Sequence, residues 1–258
     1  MKDTYKIFLI DRFYKQKFLF NIYVFITRIY SRTFSILEKF LLRRKTFDRN
    51  FENLGIKKFK SQLNKKQLKT FFENEIKKGS SSIKIVSKND LHSFLNNVFK
   101  KDLREKITNM TGFNFSIDYF KVYENKNIPI SNRKYHFDKS FSENMLKVFI
   151  PLNVCKESGP LKVYDKINSK LARKETLFKN LKYFLLTGNG ESIYCINPNM
   201  CFHQEGNPTK NFSSVQIMFQ LNPSKKWSYR NDLYQRQFMR EKKFTSFTSF
   251  FSDNTFFD

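Results

Sequence analysis

Two histidines and one aspartate form the pattern that most constrains the fold of this chain. His136 and Asp138 are separated by one residue, and His203 follows much later; the sequence contains only 3 histidines in all. On a β-strand, residues i and i+2 project from the same face, so His136 and Asp138 would point together while Phe137 points into the other layer. A third ligand from a distant strand would then complete a metal site built on a sheet.

These residue types suit non-haem Fe(II). The ion accepts imidazole and carboxylate ligands together on one face of an octahedron, and the opposite face stays open for a co-substrate, a substrate and O2. The bare His-x-Asp spacing arises by chance in many proteins, and a buried histidine is more often a hydrogen-bonded core residue than a ligand. The residues that surround the pattern therefore decide its interpretation.

Local patterns predict short strands that follow helices. Ser87 and Asp90 have the spacing of a capping box, and Gly112 lies just beyond the end of the same helical pattern. Helices are predicted over 64–78, 88–109 and 171–186. Strands are predicted over 113–123, 133–138, 145–152, 161–164, 192–197, 200–204 and 213–221.

This order of elements predicts a mainly β fold with flanking helices (α+β). Its core would be a double-stranded β-helix, a cupin-like jelly roll, buttressed by N-terminal helices. A chain of 258 residues is long enough for one such core with attachments. We divide it into a basic, helical N-terminal extension over 1–80, the β-helix core over 81–224, and a basic, Phe/Ser/Thr-rich tail over 225–258.

The residues around the metal pattern form a longer series. An apolar strand ends in Leu152-Asn153, an acidic-Gly-Pro-Leu turn follows, and the distal histidine comes after a Gly-Asn-Gly turn and a second apolar strand. The segments are 135–140, 145–153, 157–163, the partial match 167–170, 188–197 and 202–208. This series resembles the phytanoyl-CoA-dioxygenase-like branch of the Fe(II)/2-oxoglutarate oxygenases, over roughly residues 105–223.

The resemblance implies a fold, a reaction and a ligand set. His136, Asp138 and His203 would hold Fe(II), and no catalytic residue beyond these ligands is implied. 2-Oxoglutarate would be the co-substrate, O2 the oxidant, and hydroxylation of a substrate the default outcome. Such an enzyme is a non-haem iron 2-oxoglutarate-dependent dioxygenase.

One departure from the family concerns the co-substrate. In the family, an Arg shortly after the distal His binds the far carboxylate of 2-oxoglutarate. Segment 210–218 contains no Arg here, and Ser213 or Ser214 occupies the expected place. A hydroxyl cannot supply the charged, bidentate fork of a guanidinium. Three interpretations stay open: Lys147 or Lys210 takes over the carboxylate, which we favour; the co-substrate differs; or the site binds metal without turnover.

Two tyrosines are further candidates for that contact. Tyr119 and Tyr123 lie on the predicted strand before the metal pair, where either phenol could donate a hydrogen bond to a carboxylate. The alternative is ordinary packing with a polar tip.

The net charge of +25 is uneven, and residues 1–70 carry about half of it. The apolar run at 18–27 is too short to cross a bilayer, which needs about 20 residues. The whole segment 18–45 mixes apolar and basic residues, so it could lie on an anionic membrane surface. The alternative, which we favour slightly, is a helix whose apolar face packs on the β-core.

Charge and cysteine usage bear on the substrate and location. We expect a small or lipid- or sugar-linked acidic substrate. The 3 cysteines lack metal-ligand spacing and suggest a reducing cytosol. We therefore expect a cytoplasmic location, with the inner face of a membrane as the alternative.

A catalytically degenerate jelly roll and a nucleic-acid binder are the other hypotheses for the function of this chain. No reader motif is present, so no specific nucleic acid is expected.

Overall fold

The structure is a computed structural model and describes residues 17–61, 63, 71, 87–125, 136–138, 142–174, 181–209, 214–230, 233 and 254–255. Its helices are α1 (Lys17–Leu42), α2 (Arg49–Leu54), α3 (Lys88–Val98), α4 (Lys101–Thr111) and α5 (Lys166–Lys174). Its strands are β1 (Ile56–Lys60), β2 (Asn114–Asn125), β3 (Leu146–Asn153), β4 (Leu161–Val163), β5 (Phe184–Leu185), β6 (Ser192–Ile196), β7 (His203–Glu205), β8 (Ser214–Ser224), β9 (Ser228–Tyr229) and β10 (Asn254–Thr255).

Two sheets face each other across a buried apolar cluster. The larger sheet has the strand order β1-β6-β3-β8-β2-β9-β10, and the smaller has the order β5-β4-β7. Phe149, Tyr194 and Met218 of the larger sheet pack in this cluster with Leu161 and Val163 of the smaller one. The predicted mainly β fold, a double-stranded β-helix with flanking helices, is confirmed.

Helices α3 and α4 cover the other face of the larger sheet. A second apolar cluster lies between these helices and the sheet. Along β3, Val148 and Ile150 belong to this second cluster, whereas Phe149 between them belongs to the cluster between the sheets. Such alternation is the period of a strand that is buried on both faces. Phe94 of α3 packs against Phe219 of β8 with ring centroids 6.1 Å apart. Many of the chain's phenylalanines are thus core residues.

Ser87 caps a helix as predicted, but the helix that it starts is shorter than predicted. The Ser87 hydroxyl accepts the N–H of Asp90 at 3.1 Å and donates to its carboxylate at 2.8 Å. The single helix predicted over 88–109 is wrong, because α3 ends at Val98 and α4 begins only at Lys101. Between them, Phe99 leaves the helical conformation with ψ 57°. Its ring is fully buried, so tertiary packing overrides helical propensity here.

The helix predicted over 171–186 is also wrong in its bounds. Helix α5 begins at Lys166 because the side chain of Asp165 accepts the N–H of Asn168 at 2.7 Å and caps the first turn. Phe184–Leu185 forms β5, which pairs antiparallel with β4.

Three other predictions have mixed outcomes. The strand predicted over 200–204 begins only at His203, because the preceding residues turn, with the N–H of Cys201 donating to the carbonyl of Asn197 at 2.9 Å. The segment 133–138 is described only at 136–138, and the helix predicted over 64–78 lies outside the described residues.

Strand β1 was missed because its sequence is a cluster of lysines. It pairs antiparallel with β6 at the edge of the larger sheet. Lys57, Lys58 and Lys60 are exposed, whereas Ile56 is buried. Lysines on an edge strand keep that edge from pairing with other chains. Residues 56–60, within the predicted N-terminal extension, thus belong to the main sheet.

Helix α1 contacts the core through the buried Ser35 and Glu38 and, at its end, through Leu42. The expectation that its apolar face packs on the β-core is wrong for the exposed apolar side chains that the structure describes. Ser35 and Glu38 are 2% and 4% exposed, whereas Phe40 is 85% exposed. Glu38 accepts hydrogen bonds from Ser142 at 2.5 Å and from Asn144 at 2.9 Å. These bonds hold the polar face of α1 against the core.

Replacing Glu38 by Gln is expected to remove a pH dependence of stability. Burial raises the pKa of Glu38 above its usual value, although hydrogen bonds from Ser142 and Asn144 oppose the shift. A pKa that is raised in the folded state contributes stability that is fully present below the unfolded-state pKa. That contribution is lost as pH rises through the folded-state pKa. The Gln variant cannot ionise. As pH rises through the folded-state pKa of Glu38, the free energy of unfolding of the variant should therefore increase relative to that of the wild type.

Urea unfolding of both proteins at a series of pH values from about 4 upward measures this difference. If the two stability curves ran parallel with pH, Glu38 would not be the group that titrates.

Candidate metal centre

The backbone brings the two histidines of the pattern directly opposite each other. His136 and His203 form an antiparallel bridge, with N–H to carbonyl distances of 2.9 and 3.0 Å in the two directions. Residues that are opposite in an antiparallel pair project from the same face, and the two imidazole centroids are 4.4 Å apart. Asp138 is anchored separately, because its N–H donates to the carbonyl of Pro198 at 3.0 Å.

The three predicted metal ligands meet at one point. Oδ1 of Asp138 lies 3.4 Å from Nε2 of His203 and 3.8 Å from Nε2 of His136. One ligand atom from each residue lies within 4.8 Å of the other two. Neighbouring donors on an octahedral ion with bonds of about 2.1 Å are about 3 Å apart, so a small contraction would fit them to a metal ion. Metal binding itself stays a prediction.

The imidazole of His203 is held in one orientation. Its Nδ1 donates to the carbonyl of Cys201 at 2.9 Å, and the side chain is only 4% exposed. With the proton on Nδ1, the lone pair of Nε2 faces Asp138 and can take either a second proton or a metal ion. His136 differs, because 57% of its side chain is exposed, so the centre opens to solvent on this side.

Lys147 forms an ion pair with the second oxygen of Asp138. Its ammonium group contacts Oδ2, while Oδ1 faces the two histidines. Burial tends to raise the pKa of Asp138. The hydrogen bond with His203 and the charge of Lys147 outweigh this and lower the pKa to about 2. The carboxylate is therefore ionised at neutral pH, as a metal ligand must be.

The four predicted co-substrate residues have different outcomes. Lys147 lies in the centre, but in contact with Asp138. Tyr123 of β2 packs against the cluster between the sheets. Burial first, and then the neighbouring Tyr119, Glu205 and Asp138, raise its pKa, so its phenol stays protonated and can donate. Lys210 and Ser213 lie outside the described residues.

Gln216 is a polar residue of this region that the sequence reasoning missed. It lies on β8, opposite Tyr123 of β2 and Pro151 of β3, and is 8% exposed. Within the described part of the chain, its Oε1 has no hydrogen-bond partner. Alternation could have revealed it, since Val215 and Ile217 face the helices and Gln216 must therefore face the smaller sheet.

No family model and no curated protein matches this chain. Solved structures that are similar include EctD from S. alaskensis with 2-oxoglutarate and 5-hydroxyectoine, at 12% identity and TM-score 0.47 over 67% of this chain and 73% of that one. HygX from Streptomyces hygroscopicus with nickel and 2-oxoglutarate bound is 9% identical, with TM-score 0.43 over 72% and 89%. SnoK, a non-heme alpha ketoglutarate dependent carbocyclase, is 9% identical, with TM-score 0.41 over 67% and 81%. At these values the likeness assigns no activity to this chain.

Proposed function

We propose that this chain is an Fe(II)- and 2-oxoglutarate-dependent dioxygenase. The observation that carries the proposal is the division of the Asp138 carboxylate between two sets of partners. One oxygen faces His136 and His203, and the other is held by Lys147. Two imidazoles and one carboxylate on one side of an open site are the donor set of non-haem Fe(II) oxygenases.

Each residue of the centre has a distinct task. His203, fixed by the carbonyl of Cys201, presents Nε2 in one orientation. Asp138 supplies the negative charge, which its contacts with His203 and Lys147 stabilise, and Lys147 occupies its second oxygen. His136, on the solvent side, completes the donor set and borders the opening through which substrate would enter.

Bound Fe(II) with 2-oxoglutarate would activate O2, so that the co-substrate becomes succinate and CO2 and one oxygen atom enters a substrate C–H bond. The protein must hold the dianionic co-substrate without the family's Arg. Lys147 has three N–H donors and can contact a carboxylate besides Asp138. Tyr123 and the amide of Gln216 can add neutral hydrogen bonds from the neighbouring strands. Lys210 and Ser213 stay candidates from the sequence.

The proposed substrate is small, or lipid- or sugar-linked, and acidic. A net charge of +25 produces a positive field that raises the local concentration of anions near the protein. The exposed side of His136 makes the centre accessible to a ligand that arrives from solvent.

Anaerobic titration with 2-oxoglutarate tests the proposal. The protein is loaded with Fe(II), and the weak visible charge-transfer band of the chelated co-substrate is followed. We expect a saturable band in the wild type and at least about 100-fold weaker metal binding in His136→Ala. His92→Ala is the matched control, since His92 lies on α3 beside Tyr229, away from the centre.

A band that survives His136→Ala, or is lost equally in His92→Ala, would refute the assignment of the ligands. Iron binding without any band would mean that 2-oxoglutarate is not the co-substrate.

A second candidate is a binding protein that has lost catalysis. The contact between Lys147 and Asp138 favours it, because an ion pair satisfies this carboxylate without a metal. Succinate formation separates the two candidates. No succinate released, with or without candidate acidic substrates and whether or not Fe(II) binds, would support the binding protein.

A further inference from the structure

Helix α1 exposes an apolar stripe that no part of the chain described by the structure covers. Large apolar side chains recur along it at helical spacing, and their exposure ranges from 39% to 85%. They are Ile22, Phe25, Ile26, Ile29, Tyr30, Ile36, Leu37, Phe40 and Leu41. Isolated exposed apolar residues are normal, but a contiguous apolar surface of this kind marks an interaction site.

The stripe cannot turn into the core, because the opposite face of α1 is fixed by hydrogen bonds. The Ser35 hydroxyl accepts the N–H of Glu143 at 2.7 Å, and its carbonyl accepts the side chain of Asn144 at 2.9 Å. The buried carboxylate of Glu38 accepts from Ser142 and Asn144. Rotating α1 to bury its apolar side chains would break all of these bonds.

Positive charge follows one edge of the stripe. Arg28, Arg32 and Lys39 lie within about 40° of one another around the helix axis, between the apolar stripe and the face that contacts the core. Arg28 and Arg32 are exposed, and Lys39 is half-buried. The one acidic residue of the helix sequence, Glu38, is buried. The outward surface of α1 is therefore apolar and basic.

This combination fits a lipid surface better than a second copy of the chain. Two copies paired through the stripe would bring arginines near arginines, with no exposed carboxylate of α1 to neutralise them. An anionic bilayer instead offers hydrocarbon to the apolar side chains and phosphates to the cations. Within the described residues, no helix has both the length and the hydropathy needed to cross a membrane.

We propose that α1 docks this protein on an anionic membrane, lying in the plane of the interface. The apolar stripe enters the boundary between headgroups and acyl chains, and Arg28, Arg32 and Lys39 contact lipid phosphates. A helix of 26 residues would cover about 39 Å of the surface. This consequence rests on the proposed function: docking through α1 would place the protein beside a lipid-linked substrate.

Sedimentation of the full chain with phosphatidylcholine vesicles, with and without about 30% phosphatidylserine, tests the proposal. We expect binding to the anionic vesicles that weakens as salt increases. The triple variant Phe25→Gln, Ile29→Gln and Phe40→Gln should bind at least about tenfold more weakly. Arg28→Gln with Arg32→Gln should bind several-fold more weakly.

The matched control removes two positive charges elsewhere. Lys88→Gln with Lys101→Gln alters exposed residues of α3 and α4 and should bind like the wild type. All substituted positions are at least partly exposed, so circular dichroism melting should show folded variants. Equal binding by the triple variant and the wild type, or no binding by the wild type, would overturn the proposal. A wild-type dimer in light scattering that the triple variant converts to a monomer, without vesicle binding, would assign the stripe to self-association instead.

Discussion

Asp138→Asn is expected to abolish high-affinity iron binding. The substitution keeps the size of the side chain but removes the charge from the oxygen that lies 3.4 and 3.8 Å from the two imidazoles. A neutral amide oxygen is a much weaker ligand than a carboxylate, so we expect Fe(II) affinity to fall by at least about 100-fold. Calorimetric titration of the metal-free protein under anaerobic conditions measures the loss, and succinate release should become undetectable.

The same substitution should also destabilise the fold. Lys147 is only 14% exposed, and Asp138 is the carboxylate that its ammonium contacts. Removing one partner of such a pair leaves the other charge poorly solvated. We expect the free energy of unfolding to fall by about 1–3 kcal/mol. Urea denaturation of the metal-free proteins measures this effect separately from metal binding.

A double variant separates the two consequences. Asp138→Asn with Lys147→Met removes both charges, so it should recover most of the lost stability and still fail to bind iron. If the double variant were as unstable as the single one, the ion pair would not be the source of the destabilisation. If Asp138→Asn alone bound Fe(II) like the wild type, the ligand assignment would be wrong.

The meeting of the three predicted metal ligands could be anticipated from the sequence, because the two-residue spacing puts His136 and Asp138 on one face and a jelly roll returns each strand to its partner. In the structure only His136 forms the bridge to His203, and Asp138 is held by the carbonyl of Pro198 instead. Strands β2, β3, β6 and β8 of the larger sheet were predicted from alternation, since apolar residues such as Val148, Ile150 and Leu152 alternate along β3. The lysine-rich edge strand β1 and the two-residue strands β5, β9 and β10 lack this alternation.

The orientation of α1 could not be predicted from its sequence. An amphipathic pattern shows that a helix has an apolar face, but not that the protein will cover it. The face that is covered depends on hydrogen bonds between Glu38 and Ser142, which are 104 positions apart. Contacts at such separation leave no periodicity in the sequence.

The partner of Lys147 was hidden for a related reason. The strand that carries Lys147 was correctly predicted. Because Lys147 and Phe149 are two residues apart on this strand, both side chains project from the same face, between the two sheets. Yet Asp138 follows an isolated bridge rather than a regular strand, and its position depends on a bond to Pro198. The contact between Lys147 and Asp138 therefore appears only in three dimensions. It leaves two roles open for the lysine, which one substitution can distinguish.

Lys147→Met is expected to weaken 2-oxoglutarate binding by about 10- to 100-fold, since a charged hydrogen-bond donor contributes about 1.5–3 kcal/mol. Fe(II) affinity should fall far less, because both histidines and the carboxylate remain. The charge-transfer titration gives the co-substrate affinity, and calorimetry gives the metal affinity. Lys162→Met is the matched control, because Leu161 and Val163 occupy the inner cluster and Lys162 projects away from it, towards the ring of Tyr183.

The opposite pattern would identify Lys147 as a positioning residue. If Lys147→Met weakened iron binding but left the affinity for 2-oxoglutarate unchanged, the lysine would act only by holding Asp138. The far carboxylate would then be bound by another candidate, such as Tyr123, Gln216 or Lys210. If Gln216 is that donor, Gln216→Leu should raise the KM for 2-oxoglutarate.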